Sequence, residues 1–225
     1  RNNMKKILIS TILAAFFAFS ASADTNIGIS ISAANMDASG SHTTNSTTSG
    51  SLGSGGAALN SAGNADFDLA SIFIEKEIEA GALTIAIGLD AIPMSAEVDK
   101  LGGSDGFDAT VEVGNLMTAY IQPMFNAGAM TLFVKAGVGS ADLDIINVSR
   151  QATTAGTAST DGSQSKSLDG TMMGAGIQID GGAGFFRLEG TVTDFDEISH
   201  TNSNGKIVKA DSELTRVTLS IGKSF

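Results

Sequence analysis

The sequence predicts an all-β chain, folded as a closed eight-stranded antiparallel up-and-down barrel that crosses a membrane. Three observations carry that expectation. The chain ends on an alternating segment in which Val217, Leu219, Ile221 and Phe225 share one face, and Thr218, Ser220, Gly222 and Ser224 share the other. Seven earlier segments alternate in the same way. The connections between them are short and long in strict turn, as in barrels with tight turns at one end and long loops at the other.

The N-terminal residues supply an address. Met4-Lys5-Lys6 is a short basic region, Ile7 to Phe19 is an uncharged apolar run of thirteen residues, and Ala21-Ser22-Ala23 is an A-x-A cleavage site. Thirteen residues fall short of the ~20 that span a bilayer as a helix. Residues 1–23 are therefore predicted to be a cleaved signal peptide with a few residues upstream, and residues 24–225 a single barrel domain. No later apolar run is long enough for a spanning helix. A membrane-embedded mature chain must then use closed strands, because every backbone group needs a partner in lipid.

The first strand is Asn26–Ala34, with Ile27, Ile29 and Ile31 facing one way and Gly28, Ser30 and Ser32 the other. A long polar stretch, 35–65, reads as a loop. In the second strand, 66–77, the favoured register turns Ala70, Ile72 and Ile74 outward and Ser71, Phe73 and Glu75 inward. Glu79-Ala80-Gly81 is a tight turn. The third strand alternates Leu83, Ile85, Ile87 and Leu89 with Thr84, Ala86, Gly88 and Asp90, and Pro93 ends it because proline cannot donate to a ladder. After a second long connection, Val111, Val113, Met117, Ala119 and Ile121 alternate with Glu112, Gly114, Thr118, Tyr120 and Gln122. Asn115 breaks the apolar face there, and Leu116 the polar one. Residues 123–129 read as a short turn. Leu132, Val134, Ala136 and Val138 form the fifth apolar face. A third polar stretch covers 141–167. Met173, Ala175, Ile177 and Ile179 form the sixth face, and Asp180 to Ala183 a hairpin turn. Phe186, Leu188 and Val192 form the seventh. Residues 195–211 are the fourth long connection, before the closing strand.

Composition excludes several classes. There is no cysteine, so no disulfide, haem attachment or thiolate metal site is available. Without the leader, 10 basic residues face 24 acidic ones, a net charge of −14 that argues against a nucleic-acid partner. A soluble lipocalin would share the strand count but would turn its large apolar residues inward, the reverse of this pattern.

With these segments in place, the chain resembles the small outer-membrane β-barrel superfamily of OmpA/OmpX-type and opacity-protein-like porin barrels. The signal peptide, the eight alternating segments and the closing Leu219-Ser-Ile221-Gly-Lys223-Ser-Phe225 carry the likeness. The resemblance implies a Gram-negative outer membrane, lipid and lipopolysaccharide as surroundings, and an assembly signal formed by Val217, Leu219, Ile221 and Phe225 for the barrel assembly machinery. Lys223 departs from the usual apolar residue at its position, and a lysine near the interface can snorkel.

The inward faces carry Glu75, Glu112, Lys135, Arg187, Glu189 and Arg216. Buried ions must be paired or hydrated. Eight strands leave an interior that side chains just fill, which favours a structural salt-bridge network over an ion path. A second set lies where strands meet the long loops: Asp66, Asp68, Asp90, Asp142, Asp144, Asp169, Asp194, Asp196, Glu197, Asp211 and Glu213. Such a rim could take divalent cations, which prefer oxygen, but no loop has the spacing of a calcium loop, so a solvated collar is favoured. The two mature histidines, His42 in a Ser/Thr-rich stretch and His200 in Asp196-Glu-Ile-Ser-His200, fall in loops, where a lone histidine is read as a solvated residue rather than a catalyst. The chain is thus expected to be a non-enzymatic, cofactor-free barrel with a structural and surface-interaction role. The alternative is a narrow passive channel for small solutes or ions.

Overall fold

The computed structural model describes residues 24–43, 59–81, 83–98, 107–150, 164–182, 184–201 and 207–225; the predicted signal peptide lies outside them. Nine strand segments follow in order: β1 Asp24–Thr43, β2 Leu59–Ala80, β3 Leu83–Ile92, β4 Ala96–Val98, β5 Phe107–Ala127, β6 Met130–Arg150, β7 Gln164–Asp180, β8 Phe185–Thr201 and β9 Ile207–Ser224. β3 and β4 lie along the same partner, β5, and together make one stave. Every neighbouring pair is antiparallel, and β9 pairs back onto β1, so the eight staves close into a barrel.

The closure is completed at the last residue. Thr25 N–H donates to Phe225 O at 3.1 Å, and Phe225 N–H donates to Thr25 O at 2.9 Å. The three tight turns sit at the same end as these termini. Each contains a glycine in the left-handed region, Gly81, Gly128 and Gly182, where a side chain would be strained.

The outer surface carries the apolar belt that the alternation predicts. Ile27, Ile29 and Ile31 on β1, Leu132 and Val134 on β6, and Val217, Leu219 and Ile221 on β9 are all exposed. Their neighbours Ser30, Ser32, Thr218 and Ser220 are buried inside. The favoured register of β2 holds, with Ser71, Phe73 and Glu75 buried.

The strands are longer than their periodic segments. The stretches read as loops at 35–65, 141–167 and 195–211 are in large part ladder: β1 runs to Thr43, β6 to Arg150 and β8 to Thr201. His42 and His200 therefore lie on strands, both opposite Val208 of β9. The alternation is lost there because it inverts past the apolar belt: outer positions such as Asp37, Asp142 and Asp194 become polar, while inner ones such as Met36, Ala141 and Phe195 become apolar. Pro123 also lies within β5, opposite Ile85, so that hairpin turn is only Gly128–Ala129.

Asn115 marks a bulge. It has φ 52°, and the β5–β6 register slips between Gly114 and Met117. One extra residue reverses the side-chain phase on one side of the bulge. Leu116 is thereby buried inside, and Val113, expected on the outer face, packs against the interior apolar cluster.

Candidate functional site: a layered barrel interior

The interior has three levels. The level nearest the tight turns is charged and aromatic. Glu75 accepts a forked pair of hydrogen bonds from Arg187, Nη2 to Oε1 at 2.6 Å and Nη1 to Oε2 at 3.1 Å. It also accepts from Tyr120 Oη at 2.8 Å and Asn26 Nδ2 at 3.1 Å. Gln178 Oε1 accepts from Arg187 Nη2 at 2.7 Å. Lys135 donates to Glu189 from an adjacent position. The Arg187 guanidinium carbon lies 5.4, 5.2 and 5.0 Å from the ring centres of Phe73, Phe133 and Phe185, and Lys135 Nζ lies 4.3 Å from that of Tyr120. Paired charges with aromatic faces around them are the arrangement that lets ions persist away from water.

The middle level is small and polar. Ser30 Oγ donates to Ser220 Oγ at 2.9 Å, and the Ser32 and Thr218 hydroxyls lie 2.8 Å apart. Arg216 reaches Asp90 across the barrel at 3.5 Å. Several buried polar atoms here have no protein partner, including Thr191 Oγ1, Thr193 Oγ1, Asp90 Oδ1 and Arg216 Nε.

The level nearest the long connections is apolar. Ala34, Met36, Leu69, Ile92, Leu116, Ala141, Leu168, Phe195 and Leu214 form one buried cluster inside the barrel. Alternation alone did not reveal it, because each of these residues occupies a position that is polar lower on its strand. Leu116, where the polar face breaks, was its visible trace.

Five inward aromatic rings sit opposite inward glycines on the neighbouring strand: Phe73 on Gly28, Tyr120 on Gly88, Phe133 on Gly176, Phe185 on Gly222 and Phe195 on Gly170. A methyl at Gly28, Gly88, Gly176 or Gly222 would come within 2.3–2.4 Å of the facing ring. Five of the 27 glycines are thus recesses that receive rings.

Of the six residues expected inside, Glu75, Lys135, Arg187, Glu189 and Arg216 are buried there. Glu112 is the exception. It is half-buried and paired in register with Glu97 and Asp144, and the bulge that turns Val113 inward leaves it on the other face. The rim set divides as well. Asp90 is turned inside toward Arg216, and Asp169 is buried. Asp66, Asp68, Asp142, Asp194, Asp211 and Glu213 are exposed on the outside. Asp37, not singled out in the sequence, joins them: Asp37, Glu213 and Asp194 lie side by side across β1, β9 and β8. Among the described residues, no group of three or more acidic or histidine side chains is placed to hold a metal ion. Val217, Leu219, Ile221 and Phe225 all face outward.

An apolar outer belt, a closed antiparallel ladder and a polar interior together define a small transmembrane β-barrel of the outer-membrane type. No protein-family model and no curated protein matches the chain. Solved structures with a similar trace include Ail, the attachment invasion locus protein of Yersinia pestis (12% identity over 88% of this chain and 98% of that one, TM-score 0.39). They also include Neisserial surface protein A (10%, 89% and 97%, TM-score 0.45). A third is the outer membrane protease OmpT from Escherichia coli (10%, 92% and 99%, TM-score 0.49).

Proposed function

We propose that the protein is a non-conducting, non-enzymatic barrel of the bacterial outer membrane that presents its long-connection end to external partners. Its N-terminal leader would export it, and Val217, Leu219, Ile221 and Phe225 would mark it for the barrel assembly machinery. The observation that carries this reading is the apolar cluster above the salt-bridged level. A water path must pass both, and side chains of Met36, Leu69, Ile92, Phe195 and Leu214 fill the upper one. The buried charges nearest the tight turns, Glu75 with Arg187 and Glu189 with Lys135, are paired with each other. The exposed acidic collar just above the belt lies at the height of lipopolysaccharide head groups. Divalent cations would act there as bridges between lipid phosphates and the collar rather than as tenants of a dedicated site.

Planar-bilayer recording of the refolded protein tests this. Silence is expected. A steady ohmic conductance that changes in Glu75→Ala or Arg187→Ala would instead establish a narrow passive channel, with the unpartnered polar atoms of the middle level as part of its path.

A further inference from the structure

Charge on the outer wall is segregated by height. Past the apolar belt, toward the long connections, outward positions are acidic: Asp37, Asp66, Asp142, Asp194 and Glu213 are exposed there. At the tight-turn end the outer wall carries Lys76 and Lys223 instead. Lys76 shares the phase of Ile72 and Ile74 on β2, and Lys223 that of Leu219 and Ile221 on β9. Among the described residues, the carboxylates of that end, Asp24, Glu75, Glu77, Glu79 and Asp180, occupy the opposite, inward phase. Two of them are held there by inward amides, Glu77 by Asn26 at 2.6 Å and Asp180 by Gln178 at 3.0 Å. Negative charge is thus drawn into the lumen, and the lipid side of this end is cationic.

The two lysines flank the strand at which the barrel closes. Thr25 of β1 stands opposite Lys76 on one side and is joined to Phe225 by two backbone hydrogen bonds on the other. Lys223 stands opposite Ile27, two residues along β1 from Thr25. Strand geometry sets the two lysine Cα atoms ~12 Å apart, two strand spacings across and two residues along. Flexible stems can bring both ammonium groups to one head group at the interface. Lys223 Nζ lies 4.9 Å from the ring centre of Phe225. That contact holds the ammonium against the wall while its N–H donors stay available to oxygen. Ile27, Ile221, Phe186 and Phe225 are exposed around it, an apolar surface on which acyl chains can lie.

We infer that this face binds an anionic glycerophospholipid, with its phosphate between Lys76 and Lys223 and its chains along Ile27, Ile221 and Phe186. Charge and apolarity together select the occupant. Anionic lipid attracts lysines near the membrane surface, whereas a zwitterionic head group brings its own cation against them. A soluble phosphate has no chains for the apolar surface. The inference goes beyond the surface-interaction reading. Only the assignment of the site to the periplasm-facing leaflet rests on that reading, which turns the long connections outward.

The test uses the full barrel refolded in neutral detergent with equimolar phosphatidylglycerol and phosphatidylcholine of identical acyl chains, read by native mass spectrometry. Phosphatidylglycerol should exceed phosphatidylcholine on the singly lipidated barrel by at least ~5-fold, the factor one lysine near an anionic surface supplies. The excess should shrink as ionic strength rises. Lys76→Gln/Lys223→Gln should bring the ratio to about one, whereas Lys209→Gln, a charge lost at the other end, should leave it unchanged. A ratio near one in the unaltered protein overturns the inference and needs no variant. A preference that persists in Lys76→Gln/Lys223→Gln, or that falls as far in Lys209→Gln, also overturns it. Displacement of the lipid by excess glycerol 3-phosphate would make this a site for soluble phosphate and overturn the lipid assignment. Proteolytic cuts at the tight turns of intact cells would overturn the orientation, and with it the leaflet, without altering the lipid ratio, so the two failures are distinguishable.

Discussion

Glu75→Ala should be among the most damaging single substitutions in this barrel. The change removes both acceptors of the Arg187 fork and those of Tyr120 and Asn26 at once. It leaves the guanidinium of Arg187, a residue 2% exposed, with Gln178 as its hydrogen-bond partner and three phenylalanine rings around it. Removing one partner of a buried pair costs about 3–5 kcal/mol, because the stranded charge keeps its desolvation penalty. Every 1.4 kcal/mol is about tenfold, so the folding equilibrium should shift by roughly 10²–10⁴. Replacing the pair by Glu75→Leu with Arg187→Met should lose much less than the sum of its singles, since neither charge then remains and the methionine still packs on the rings, and the residual cost comes from the stranded Tyr120 hydroxyl and Gln178 amide. Reversible urea unfolding of refolded protein, followed by far-UV circular dichroism and by heat-modifiable gel mobility, measures both. A single variant losing under about 1 kcal/mol, or a double variant losing the sum of its singles, would refute the view of Glu75 and Arg187 as a coupled, desolvated pair.

Three further outcomes are expected. Gly176→Ala places a methyl 2.4 Å from both Leu188 O and Phe133 Cζ and should cost about 1–3 kcal/mol in the same unfolding assay, whereas Gly190→Ala, whose added methyl meets nothing within 4 Å, should be near neutral. Deleting Phe225 removes one exposed aromatic and the two backbone bonds to Thr25. Micelle refolding should survive this loss of about 1–3 kcal/mol while outer-membrane levels in cells fall sharply, and normal cellular levels would show that Phe225 carries no assembly signal. Proteolysis of intact cells should cut between β1 and β2 or between β6 and β7 and spare Gly81, Gly128 and Gly182, and cuts at those glycines would invert the topology.

The belt was legible in the sequence because lipid imposes one rule on every strand: apolar outward, every second residue. Ile27, Ile29 and Ile31 opposite Ser30 and Ser32 state that rule without help from tertiary structure. The interior obeys no such single rule, which is why only part of it could be read. Glu75, Arg187, Lys135 and Glu189 stood out as charges on an inward phase, but their pairing depends on which strands face each other across the lumen, and alternation does not encode that. Glu112 was misplaced because a bulge at Asn115 shifts the phase by one residue, and the sequence shows only two breaks in pattern there, at Asn115 and Leu116. The upper reaches of β1, β6 and β8 were read as loops because Asp37, Asp142 and Asp194 take the outer face while Met36, Ala141 and Phe195 turn inward, which inverts the period and leaves the backbone ladder intact.

The pairing of rings with glycines bears on what happens when a ring is lost. In an ordinary core, neighbouring side chains lean into the space left by a truncated residue and recover part of its energy. Here the neighbour across the ladder is a bare backbone, fixed by its own hydrogen bonds and with nothing to lean. A truncation such as Tyr120→Ala, at a ring that faces Gly88 on one side and Gly137 on the other, should therefore leave much of its vacancy open. The route to a hollow, ligand-accepting version of this barrel thus runs through its aromatic residues, and the glycines already present would keep the hollow open.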